Sequence, residues 1–193
     1  MKINQLGRSM VEMLGVLAII GVLSAGALAG YSKAMFQHKM NKTIEEATKI
    51  FQRFEELVHK DWGGTEENTI NIYGTESYVQ YGLLEKCNKI SRDRCKLPIG
   101  AVWMDLYQDS QTYGGIIFNF TDSKSCVAFL SVPWEQMLPQ EWWSPRGYID
   151  VGGYWINDFL NDPTEARMTK ITEACEICDD DDECAIWFVY RDY

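Results

Sequence analysis

Two histidines in 193 residues leave little material for acid–base catalysis. The chain has no G-x-S-x-G nucleophile turn, no G-x-x-x-x-G-K phosphate loop and no H-E-x-x-H zinc motif. An enzymatic role is therefore not expected. Positive charge is scarce too: 18 Lys and Arg stand against 28 Asp and Glu, a formal net charge of −10. Such a surface repels phosphate backbones, so nucleic acid is not an expected partner. One dense basic stretch stands apart, from Lys86 to Lys96, and it contains two cysteines. Repeats, low-complexity tracts and Ser/Gly-rich linkers are absent, and the length suits one compact domain plus one extra element.

The longest absence is of charge, over the eighteen residues from Met13 to Gly30 (MLGVLAIIGVLSAGALAG). At about 1.5 Å per residue this is close to the shortest helix that crosses a bilayer. Lys2 and Arg8 before the run, against Lys33 after it, favour a cytoplasmic N-terminus. A cleaved secretory signal competes with a retained anchor, because Ser24, Ala25, Ala27 and Ala29 offer small residues for a cut. Glu12 argues for the anchor. A carboxylate at the edge of hydrocarbon costs a few kcal/mol unless a partner compensates it, so such residues mark function.

The stretch Gly7-Arg8-Ser9-Met10-Val11-Glu12-Met13-Leu14, continued by Gly15 to Ser24, resembles the processing site and stem of type IV prepilins. In that family a prepilin peptidase cuts after the glycine, the new N-terminus is usually methylated, and a glutamate lies five residues beyond the cut. The resemblance maps these features onto Gly7, Arg8 and Glu12. Ala18 to Leu23 is similar to the family's helix core, and Tyr31 falls where tyrosine is frequent. Arg8 stands where an apolar residue is usual, and Ala29 where many members carry a helix-bending proline. A straighter stem is the expectation.

The resemblance implies a leader at 1–7, a membrane and assembly stem at 8–30, the amphipathic half of the same helix at 31–62, and a globular head at 63–193. It also implies a filament subunit of a pilus or a secretion pseudopilus. The implied location is the bacterial inner membrane with a periplasmic head, then the filament or cell surface. Implied partners are the prepilin peptidase, an inner-membrane assembly platform and other pilin subunits. The competing reading is a monomeric single-span inner-membrane protein with a disulfide-bonded periplasmic binding domain.

Glu12 has a chemical role in the filament reading. Cleavage would leave a cationic α-amine on Arg8, and in a bundle of stems that amine can pair with Glu12 of a neighbour. Loss of either partner leaves an unpaired charge in apolar surroundings, costing about 3–5 kcal/mol. Two lesser readings remain: a favourable helix-dipole contact of about 0.3–1 kcal/mol, and an i, i+4 pair with Arg8 of the same chain.

Met35, Met40, Ile44, Ala47, Phe51, Phe54, Leu57 and Val58 recur at helical steps and predict one helix over 9–60, stopped by Trp62-Gly63-Gly64. The register is too irregular for a coiled coil. The rest reads as a mixed α+β head, with strands at 68–73, 115–120 and 185–190. Residues 123–130 read as a short helix capped from Thr121-Asp122. Trp134, Trp142, Trp143, Trp155 and Trp187 read mainly as core. Trp142-Trp143-Ser144-Pro145 is also weighed as an exposed adhesive loop. The fold class expected is α+β and pilin-like: a long N-terminal helix on an antiparallel sheet, stabilised by disulfides.

Six cysteines, at 87, 95, 126, 175, 178 and 184, point to disulfides and an oxidising compartment. Zinc is the weaker reading, since only Cys175 and Cys178 form a close pair. Tyr81-Gly82-Leu83-Leu84, Leu97-Pro98, Tyr113-Gly114-Gly115 and the cysteines at 126 and 175 resemble the head of type IVb pilins. That likeness implies a Cys126–Cys175 bridge, and with it the remaining cysteines suggest two local loops, Cys87 with Cys95 and Cys178 with Cys184. A redox role for Cys175-Glu176-Ile177-Cys178 is disfavoured by the five acids that follow, Asp179 to Glu183. Asp179, Asp180, Asp181 and Asp182 are weighed as calcium ligands against a plain solvated loop, which their spacing favours. No other cofactor is expected.

Overall fold

The computed structural model describes residues 6–61, 72, 74–108, 112–138, 142, 148–151, 154–155, 164–180 and 184–192. By compactness the chain divides into two units, Met1–Lys39 and Met40–Tyr193. One helix, α1 (Leu6–Asp61), contributes to both and runs without a break through Ala29. The proposed stop at 62–64 lies outside the described residues.

The Met40–Tyr193 unit is an α+β domain around one antiparallel sheet. Its strands are β1 (Cys95–Lys96), β2 (Ala101–Gln108), β3 (Thr112–Phe120), β4 (Tyr148–Val151), β5 (Tyr154–Trp155) and β6 (Cys184–Asp192). The order is β1-β2-β3-β6-β4-β5, with every neighbouring pair antiparallel. The helices are α2 (Thr75–Gln80), α3 (Ser123–Leu130), α4 (Trp134–Met137) and α5 (Thr164–Asp180).

Register explains which side chains form the core. Met104, Ile116 and Phe188 lie side by side across β2, β3 and β6, and Val102, Phe118 and Ile186 form the next row. Residues directly opposite share a face, so both rows build one apolar surface, and all six side chains are fully buried. The second half of α1 packs on it. Met40, Thr43, Ala47, Ile50, Phe51 and Phe54 are buried, in steps of three and four that keep one stripe facing the sheet. Phe51 is central: its ring lies 4.9 Å from Phe188, 5.0 Å from Trp142, 5.6 Å from Trp134 and 5.8 Å from Phe118.

Local chemistry fixes several junctions. Asp122 caps α3, its carboxylate accepting from the Ser125 amide at 2.7 Å and the Ser125 hydroxyl at 2.9 Å. Gly100 enters β2 at φ 78°, where a Cβ would overlap the Asn119 carbonyl oxygen, so only glycine fits. The buried Tyr78 of α2 serves β2 where β1 has ended. Its hydroxyl accepts from the Met104 amide at 3.0 Å and lies within bonding distance of the Asp93 and Met104 carbonyls.

Several expectations need correction. Strands β3 and β6 extend beyond the predicted cores, to 112–120 and 184–192. Of the predicted strand at 68–73, only Ile72 is described, and it is buried. Trp142 is fully buried, as its core reading expects and against the adhesive-loop alternative, with its indole N–H on Glu55 Oε1 at 3.2 Å, while Trp143, Ser144 and Pro145 lie outside the described residues. Trp134 is core as expected, but Trp187 is 37% exposed on the sheet face away from α1. There its ring meets Trp103 edge-on at 6.4 Å.

Candidate functional site

In the Met1–Lys39 unit the sequence motif falls on the first turns of α1. Gly7 is its second residue, and Glu12 follows Arg8 by four, one helical turn along. The first turn of any helix has amides without internal partners and opens most easily. Glu12 is exposed.

Every described side chain from Met10 to Ala34 is exposed or lies on open helix surface. Leu14, Leu17, Ile19, Val22 and Leu23 are 61–74% exposed, pointing to all sides rather than to one stripe. A cylinder apolar all round has no favourable resting state in water; it belongs in lipid or among other helices. This one is long and apolar enough to cross a membrane.

In the Met40–Tyr193 unit all six cysteines are paired: Cys87 with Cys95, Cys126 with Cys175, and Cys178 with Cys184. These are the pairs named from the sequence. Cys126–Cys175 ties α3 to α5, and Cys178–Cys184 ties α5 to β6. The Sγ atoms of Cys126, Cys178 and Cys184 lie within 4.8 Å of one another, so the two bridges are packed side by side in the core. Cys175 and Cys178 sit near the end of α5 and bond to different partners, so they do not form a C-x-x-C redox pair. Zinc would need thiolates, and these sulfurs are consumed in disulfides.

The proposed calcium ligands are not brought into a described site. Asp179 and Asp180 are the last residues of α5, their side chains lie outside the description, and so do Asp181 and Asp182. Nearer the start of α5, Arg167 forms a two-pronged ion pair with Glu135 of α4, at 2.6 and 2.9 Å. The hydrogen bonds from this guanidinium hold the Glu135 carboxyl below the usual carboxylate range, against a smaller opposing effect of burial.

One feature of the head was not legible in the sequence. Lys49 and Arg53 of α1 meet the basic stretch at Lys86 and Lys96 around a cavity of about 460 Å³. The stretch itself was visible, but its partners lie more than thirty residues upstream.

No family model, no curated protein and no solved structure matches the chain.

Proposed function

We propose that the chain is a structural subunit of a type IV pilus or a type II secretion pseudopilus, cleaved after Gly7 and polymerised through its N-terminal helix. The observation that carries this reading is the pairing of Glu12 with an all-round apolar, fully exposed helix directly after it. A simple anchor needs the apolar length but has no use for a carboxylate at its edge. A filament uses both. The stems leave lipid for a bundle of identical stems, and Glu12 receives the freed α-amine of Arg8 from a neighbour. Two desolvation costs are then relieved by one contact, which fixes the axial register of subunits. The disulfide-clamped head stays outside the bundle and faces solvent. The bridges suit the oxidising periplasm and cell surface.

The test is the intact mass of the chain expressed with and without a prepilin peptidase. Loss of residues 1–7, dependent on Gly7, is the expected outcome, and an N-methyl group on Arg8 would show in the same spectrum. Glu12→Ala should leave expression and processing intact while incorporation into filaments is lost. A retained leader would favour the monomeric anchor, and a cut near Ala25 to Ala29 an ordinary secreted domain. Normal filaments from Glu12→Ala would sink the pairing mechanism.

A further inference from the structure

The cavity of about 460 Å³ lies between one face of α1 and the segment 83–98. Glu46, Lys49, Ile50 and Arg53 follow one another at helical spacing along its α1 wall. Lys86 and Lys96 stand on the other wall, on a loop held by the Cys87–Cys95 bridge and by the Lys96 amide on the Asn88 carbonyl at 2.9 Å. Four cations therefore face two carboxylates, Glu46 and Glu85, in a chain whose net charge is −10. Two of the four are already engaged: Lys49 with Glu45 at 2.7 Å, and Arg53 with Glu85 at 3.2 Å and with the Leu83 carbonyl at 3.4 Å. Lys86 and Lys96 have no ion pair among the described residues.

An opposite imbalance exists at the end of α5. A helix C-terminus favours cations, yet the last turn of α5 carries none and ends in Asp179 and Asp180. Asp181, Asp182 and Glu183 continue the run, and all five acids fall between the two cysteines of the Cys178–Cys184 bridge. Each feature thus adjoins or lies within a disulfide-closed stretch of sequence, and the two are opposite in charge.

We propose that the cavity walled by Lys49, Arg53, Lys86 and Lys96 is a docking site for the acidic segment 179–183 of a second copy of this chain. This rests on the filament reading, in which copies are held close enough for one head to reach the next. Lys86 and Lys96 supply the free cations, and the apolar floor at Leu84 and Leu97 lowers the local dielectric, so that each pair gains more than it would on open surface. The contact orients neighbouring heads and is weakened by salt.

The experiment uses the full chain in detergent, as an equal mixture of ¹⁴N- and ¹⁵N-labelled protein. A zero-length carbodiimide joins an amine to a carboxylate only where the two already touch. The expected product is a mixed-isotope isopeptide between Lys86 or Lys96 and an acid within 179–183. Lys86→Glu with Lys96→Glu should lower its yield at least tenfold, and Asp180→Lys with Asp181→Lys on that background should restore association. Cross-links confined to one isotope would place the acidic run on its own copy's cavity and overturn the proposal. So would undiminished association after the charge reversal, or cross-links to other carboxylates only. Removal of residues 1–7 by prepilin peptidase is read separately. Processed chains that build normal filaments despite the reversal refute the docking site alone. Chains that the peptidase fails to cleave, yet that give the mixed product, refute the filament reading and leave the docking site standing.

Discussion

Residues 10–34 and residues 40–57 belong to one α-helix, yet they carry opposite surface patterns. In the first, leucines and isoleucines point to every side and all are exposed. In the second, the apolar residues form one stripe, and Met40, Ala47, Ile50, Phe51 and Phe54 along it are buried to the last few per cent. Helix propensity differs little between them; the distribution of apolar side chains does. The comparison teaches that periodicity reports the surroundings a helix is made for. A stripe signals a partner already within the fold, whereas a full apolar circumference signals surroundings that the fold does not supply.

The sharpest way to break this comparison is to cut one large side chain from each half. Phe51→Ala removes a ring that touches four others in the core, and should cost about 3–5 kcal/mol, read as a lower denaturation midpoint of the head. Leu17→Ala should leave that midpoint unchanged, because the Leu17 side chain is 61% exposed and buries little that its loss could uncover. Equal losses from both would mean that the stem is part of the same core.

Next in size is the covalent support that only the head possesses. Replacing Cys126 and Cys175 by alanine opens a separation of 49 residues, and the chain-entropy relation gives a loss of about 4 kcal/mol. The same change at Cys178 and Cys184, separated by 6, should cost about 2 kcal/mol. Chemical denaturation under non-reducing conditions checks the ranking, and a reversed order would show that the long bridge does not restrain the unfolded chain.

A smaller effect is expected at Tyr78. Tyr78→Phe preserves the ring but strips its hydroxyl from the Met104 amide, leaving a buried donor without its partner. A loss of about 1–3 kcal/mol should follow, with faster hydrogen exchange at Met104 as the local signature.

The smallest is a pH effect at Glu135. Its carboxyl is held below the ordinary range by Arg167, so the folded state binds that proton more weakly than the unfolded chain does. The contribution is complete above the ordinary carboxylate pKa of about 4.3, and it is lost as pH falls through the lower folded value. The pair is only partly exposed, and about 1 kcal/mol is expected. Glu135→Gln should flatten the acid limb of the stability curve by that amount while leaving the stem's behaviour in detergent unchanged.

Legibility in the sequence followed the same physical divide. The long apolar helix at the N-terminus was legible because every residue involved is a near neighbour in the chain. Helix α3 was legible because Asp122 advertises its start. Strand β2 was not, since Trp103 and its neighbours make both faces apolar and hide the two-residue alternation. Helix α5 is the more instructive omission. Its buried residues, Ile171, Ala174, Cys175 and Cys178, follow an i, i+3, i+4, i+7 pattern. Three of the four are small or sulfur-bearing, so the stripe read as chemistry rather than as a core face. The cavity cations were beyond reach because α1 and the stapled loop meet only in the folded head.

The order of strands has a kinetic consequence. β6 lies between β3 and β4, so among the described strands it alone joins the β1-β2-β3 part of the sheet to the β4-β5 hairpin. The β2–β3 hairpin can form as soon as it is synthesised, but β4 and β5 have no sheet to join until residues 184–192 arrive. The sheet therefore closes from the middle, and its two parts join only once residues 184–192 are in place.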